Sequence, residues 1–255
     1  MRSYPSDLTK KEWKVIAPLL PPTHGNQKLE IQAIVNGIFY LNATGCQWRA
    51  LPHEYPIWSS VYYHFAKWSE TGVLEVINTA LCKMDRQKRG RTPTPTGALI
   101  DSQSVKTAKE ASEVGFDGGK LVKGHKRHLL ADTVGNMLNV VVSAANLSDI
   151  AGGKRVIEKI LNTFPSIEKI WADGTYRGGL VDWVRETLDA TLEVVKREEG
   201  QRGFKVQPKR WVVERTFAWL GNYRRLSKDY ERLPLNSEGM IYLASIKTML
   251  KRITA

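Results

Sequence analysis

Apolar residues recur along this chain with two periods, and the switch between them divides it. Up to about residue 88 the period is helical. Thr9 with Glu12 forms a capping box, and Trp13, Ile16, Ala17 and Leu20 supply an apolar face until Pro21 and Pro22 stop it. Ile31, Ile34, Val35, Ile38 and Phe39 predict a second helix ending near Gly45, and Gln47 to Pro52 reads as a turn. A third helix begins near Trp58 and carries Val61, Tyr62, Phe65 and Trp68; a fourth runs from about Val73 to Met84. Short helices with a basic, aromatic member suit a helix-turn-helix type of DNA reader. A plain helical bundle with tryptophans in its core has the same periodicity.

Between Lys88 and Gly97 the pattern stops. Pro93, Pro95, Gly90 and Gly97 build neither a helix nor a central strand, so this basic stretch reads as a linker. Beyond it the period becomes that of an α/β unit. Ala98–Val105 is a strand with Asp101 in its middle, and 128–133 with 137–143 form a hairpin around Val134-Gly135-Asn136. A helix follows over 149–161, a strand over 167–172 with Asp173 at its carboxyl end, a helix over 180–187 and a strand over 190–195. After a turn region at 198–208 comes a helix from Arg210 to Arg225, then a last one capped by Ser237. The expected architecture is a five-stranded mixed sheet flanked by helices, behind a small all-helical domain: residues 1–88, a linker at 89–97, and 98–255.

Charge changes the picture. The formal net charge of +12 favours a polyanionic partner, nucleic acid above all. No apolar run is long enough to span a bilayer, and the start lacks the apolar core of a signal peptide. Two distant cysteines, Cys46 and Cys82, fit a reducing cytoplasm. Three acids then stand out. Asp101 lies within a strand, where an unpaired charge is costly. Asp173 ends a strand, the edge where open α/β sheets place their sites. Glu214 sits on a polar helix face with Arg210, Ala218, Gly221 and Arg225; by itself it would be a solvated partner of Arg210. If the first and fourth strands are neighbours, the three meet, and clustered carboxylates call for Mg²⁺ or Mn²⁺, the two-ion device of phosphodiester chemistry. Lys123, Lys126, Arg127, Arg177, Arg210, Arg215 and Arg225 are the cations expected to contact nucleic acid. His125 and His128 make half a metal site at most, and read as ordinary strand histidines.

Short motifs in order carry a resemblance. Leu8-Thr9, Trp13 and Pro18–Pro22, then Thr44–Arg49, then Trp58-Ser59 with Val61-Tyr62, are similar to the leading domain of the DDE transposases of bacterial insertion sequences, in the family conventionally numbered five. Ile100–Lys106 resembles that family's first catalytic strand, Ala172–Tyr176 its second acidic motif and Trp211–Arg215 its third. The resemblance implies an RNase H-like catalytic domain with Asp101, Asp173 and Glu214 as its catalytic and metal-binding acids. It further implies two Mg²⁺ ions with Mn²⁺ as substitute, cleavage at terminal inverted repeats and joining of the 3′ ends to target DNA. A homodimer on double-stranded DNA and a nucleoid-associated location follow from the same likeness. It gives Asp132 no role. Gln207 and Gly221 stand where the wider superfamily often carries a tyrosine and a lysine. A catalytically silent DNA-binding regulator, or an RNase H-like nuclease without joining, would share the same residues.

Overall fold

The computed structural model describes residues 4–22, 27–195 and 209–255, with backbone alone for 27–30. The anticipated capping box forms: the Thr9 hydroxyl accepts from the Glu12 amide at 3.1 Å, and Glu12 accepts from the Thr9 amide at 2.7 Å. It starts α1 (Lys10–Ile16), followed by α2 (Gln27–Thr44), α3 (Trp58–Glu70) and α4 (Val73–Lys88). Their apolar faces converge on α8 (Pro234–Thr254), which is buried on nearly every side from Asn236 to Leu250. A helix apolar on most of its surface has to be a core element. Polar cross-links fix it there: Lys247 pairs with Glu12 at 2.9 Å, Asn42 donates to the Met240 carbonyl, and Ser245 donates to Asn78. A Cβ on Gly239 would collide with Ser69, so glycine permits the close approach of α8 to α3. The far side of α8 rests on the sheet.

That sheet contains β1 (Gly97–Lys106), β2 (Gly115–Asp117), β3 (Val122–Asp132), β4 (Met137–Ala144), β5 (Lys169–Ala172) and β6 (Thr191–Val194). β3 is antiparallel to β1 and β4, while β5 runs parallel to both β1 and β6. The long strands therefore lie in the order β4-β3-β1-β5-β6, with β2 added at the start of β3. This mixed, helix-flanked sheet is the fold class expected, with six strands among the described residues where five were anticipated. The extra strand is three residues, Gly115-Phe116-Asp117, too short to show a period. α5 (Asp149–Glu158) lies on one face, and α7 (Arg210–Gly221) contacts β1 and β3. α6 (Gly179–Leu188) connects β5 to β6.

Several helix boundaries differ from the sequence reading: α4 runs on to Lys88 and α5 stops at Glu158, and two further differences affect named residues. α7 ends at Gly221, and the chain turns through a 3₁₀ segment at Arg224–Leu226, so Arg225 does not share the face of Glu214. α8 begins one turn early, at Pro234, whose fixed φ suits a first helical position. The Ser237 hydroxyl, expected to cap, donates to Asp229 instead.

Candidate active site

Strand alternation decides which way β1 aims its side chains. The Ser102 hydroxyl donates to Asp149 at the start of α5 at 2.7 Å, and Ile100 lies against the backbone of Gly153 in that helix. Asp101, between them, therefore points to the opposite face, where α7 packs. The parallel ladder pairs Gly97 with Lys169, Ala98 with Ile170 and Leu99 with Trp171. Two residues further in the same register bring Asp101 level with Asp173, just past the end of β5. Asp173 caps the 3₁₀ turn Gly174–Tyr176, its carboxylate accepting from the Thr175 amide at 2.9 Å.

Arg210, the first residue of α7, links the remaining acid to this pair. Its Nη2 lies 3.5 Å from Glu214 Oε1 and 3.8 Å from Asp173 Oδ2. The i to i+4 pair of a bland surface helix is thus present, and the same guanidinium also reaches across to the strand end. Burial pushes the Asp101 carboxyl up to about 6; Asp173 adds to the rise, while the Ser102 amide, Arg210 and Lys120 oppose it. Burial outweighs the nearby donors and cations, so the neutral form of this carboxyl is favoured. Among the described residues, no three histidine, cysteine, aspartate or glutamate side chains are arranged to hold a metal ion as they stand. The donor chemistry fits a hard divalent cation nonetheless. All three candidates are carboxylates, and a cation would offset the burial that disfavours the charged form of Asp101.

The expected cations divide into two groups. Lys126 is buried, 3.2 Å from Asp117 and 3.4 Å from Asp149. Arg127 is buried too and donates to Gln103 and to the Leu226 carbonyl. Arg225 pairs with Glu231 at 2.7 Å and donates to the Cys46 carbonyl. These three, expected to meet DNA, are internal struts with partners within the protein, some near in sequence and some as far off as Cys46 and Leu226. Lys123 and Arg177 are exposed, Arg210 stands among the acids, and Arg215 lies 4.4 Å from the rings of both Trp211 and Trp219. Gln207 and the basic residues of 202–208 lie outside the described residues.

Both strand histidines are structural. His125 sits between Asp229, at 2.8 Å, and the Ser112 carbonyl, at 2.7 Å. Burial opposes its protonation, but those two acceptors raise its pKa. His128 lies under Gly152, where a Cβ would strike its ring, and burial pulls it down to about 4. Asp132 is a strut as well, bound to Arg86 at 2.7 Å and to the amides of Val134 and Asn136. Asp117 and Asp149 had no place in the sequence reading; only Gly118-Gly119 after the first and the cap Ser148 before the second marked them. They form a polar layer behind Asp101 with Ser102, Ser104, Lys120 and Lys126.

Comparison with known proteins identifies the family. Residues 92–246 match the family described as "Transposase DDE domain", and residues 8–78 match one described as "Putative transposase of IS4/5 family". A relative from Burkholderia cepacia, "Putative transposase for insertion sequence element IS402", is 32% identical over 118 residues, covering 43% of this chain and 54% of the relative. The chain thus spans about half the length of that relative. No solved structure matches. With the first family's match running from the linker through most of α8, over the sheet that aligns Asp101 with Asp173, the chain belongs to the DDE transposases of IS4/5 type.

Proposed function

We propose that this protein is the transposase of an insertion sequence, cleaving DNA at terminal inverted repeats and joining the freed 3′ ends to target DNA. What supports this reading is the register that sets Asp101 level with Asp173 at one sheet edge, with Arg210 reaching both Asp173 and Glu214 beside them. Asp101, Asp173 and Glu214 would hold two Mg²⁺ ions, or Mn²⁺ in their place, which activate the attacking oxygen and stabilise the leaving 3′ oxygen. Water attacks the phosphodiester first, leaving a 3′ hydroxyl. That hydroxyl then attacks a target phosphate and displaces a 3′ oxygen of the target strand. Arg210 binds a phosphate oxygen on the substrate side of Asp173 and Glu214, and exposed Lys123 and Arg177 extend the contact along the backbone. The helices before residue 88 bind the repeat, the segment at 89–97 follows its phosphates, and two copies hold two ends. Binding at phosphates releases counterions, so affinity falls steeply as salt rises.

The test uses end-containing duplexes and the variants Asp101→Asn, Asp173→Asn and Glu214→Gln. Each should lose cleavage and joining in Mg²⁺ while binding the ends within a few-fold of the parent. Cleavage without joining by the parent would make the protein a nuclease, and binding without either step would make it a regulator. Full activity in Glu214→Gln would remove α7 from the site.

A further inference from the structure

The ribbon formed by β2 and the start of β3 is built inside out. Its inward side is polar. Asp117 is buried, accepting from Ser104 at 2.6 Å and from the amides of Gly119 and Lys120, and it lies 3.2 Å from Lys126. Lys120 donates to the Ser102 carbonyl at 2.9 Å and to its hydroxyl at 3.1 Å. The outward side carries the large apolar groups. Phe116 is 54% exposed and Leu121 76% exposed. Phe116 pairs across the ribbon with exposed Lys123, so both project from the same side. A hairpin packing on a protein core shows the reverse arrangement, apolar in and polar out.

Three further observations say what meets that side. The ribbon is anchored to Ser102 and Ser104, immediately beyond Asp101 on the same strand, within roughly 10 Å at the rise of a β-strand. Its tip stands in open space, since a Cβ on Gly118 would meet nothing within 4 Å. Leu121 is held in the left-handed region at φ 54, a conformation an ordinary side chain adopts at some cost and one that collects at functional sites. An apolar pair beside a lysine, at the edge where a phosphodiester is to be cut, matches the chemistry of an opened duplex: ring faces to stack on and phosphates to neutralise.

We propose that the β2–β3 ribbon is a wedge that unpairs the base pairs beside the cleaved phosphate, with Phe116 and Leu121 stacking on the exposed bases and Lys123 holding their backbone. This rests on the function proposed above, and its test separates the two. The end duplex, taken from the DNA flanking the coding region, carries 2-aminopurine next to the cut position, and a second version is mismatched there. Binding of the parent should raise the fluorescence, and so should binding of Asp101→Asn, because no cleavage is needed. The double variant Phe116→Ala, Leu121→Asn should bind without the rise and cut the paired duplex about tenfold more slowly or worse. On the mismatched duplex it should return to within a few-fold of the parent. Asparagine tolerates the left-handed backbone at 121, and both side chains are exposed, so the melting temperature should stay that of the parent. An undiminished rate on paired ends, or an equal defect on both duplexes, would overturn the wedge. An Asp101→Asn protein that still cut would overturn the acid site proposed above and leave the fluorescence result standing.

Discussion

Two aspartates on adjacent strands show how one ladder serves opposite purposes along its length. Asp132 closes β3 opposite Ala98 of β1, and Asp101 lies three residues along β1 towards the other edge. The Asp132 carboxylate is fully buried and ringed by donors: Arg86 at 2.7 Å and two backbone amides at 2.8 Å. The Asp101 carboxylate accepts the Ser102 amide and faces a second acid, and burial leaves it titrating near 6. The saturated acid is part of the scaffold, tying α4 to the β3–β4 turn. The acid with fewer donors is the one proposed above to bind a metal ion. Neither the residue type nor its position in a strand tells them apart; the supply of donors does.

The sharpest way to break this contrast is to remove the charge from each aspartate in turn. Asp101→Asn should reduce cleavage by about 10³-fold or more, as expected for loss of a ligand in metal-assisted phosphoryl transfer. Its melting temperature should be unchanged or higher, because an amide escapes the burial penalty. Asp132→Ala should do the opposite. It strands Arg86 without its partner and should cost on the order of 3–5 kcal/mol in denaturant unfolding. Activity per folded molecule should persist at low temperature. A stable Asp132 variant, or an unstable but active Asp101 variant, would erase the distinction.

Two histidines on β3 extend the comparison to pH at smaller amplitude. His128 has a folded pKa of about 4, lowered by burial, so the unfolded chain takes up its proton first as pH falls. Stability should therefore drop from about pH 6.5 towards 4, by on the order of 2–3 kcal/mol, and His128→Gln should lose that slope. His125 has a raised folded pKa through Asp229 and the Ser112 carbonyl, despite its burial. Its contribution is complete below about pH 6.5 and disappears as pH rises through the raised value. His125→Gln should flatten the alkaline side in urea titrations taken across pH. The smallest effect belongs to the exposed pair Arg185–Asp182: Arg185→Ala should change stability by less than about 1 kcal/mol.

What could be read from sequence follows the same division. Local signals survived: the Thr9 capping box, the Val134-Gly135-Asn136 turn and the strand that delivers Asp173 all reflect interactions among near neighbours. The fold class followed from their order. Burial of cations did not, because Arg225 finds Glu231 and a carbonyl at residue 46, and Arg127 finds a carbonyl at residue 226. A basic run looks the same whether its partners are phosphates or distant parts of its own chain. The end of α7 was misplaced for another reason. Gly221-Asn222 is a stop signal, and the polar face that Arg225 would continue is interrupted there. The alignment of Asp101 with Asp173 depends on strand adjacency, which motif order suggests and periodicity alone does not.

The central position of α8 has a consequence for how the chain reaches this state. α1 to α4 are complete by residue 88, yet the helix they enclose starts at residue 234. At roughly 5–20 residues per second on a ribosome, that gap lasts on the order of ten seconds. Throughout it, Ile38, Phe65 and Leu81 have their natural core partner still missing. The helices must wait as a loose, sticky assembly while the sheet emerges behind them. Folding of the two halves then becomes a single late event, and a mutation that loosens α8 should show first as aggregation during synthesis.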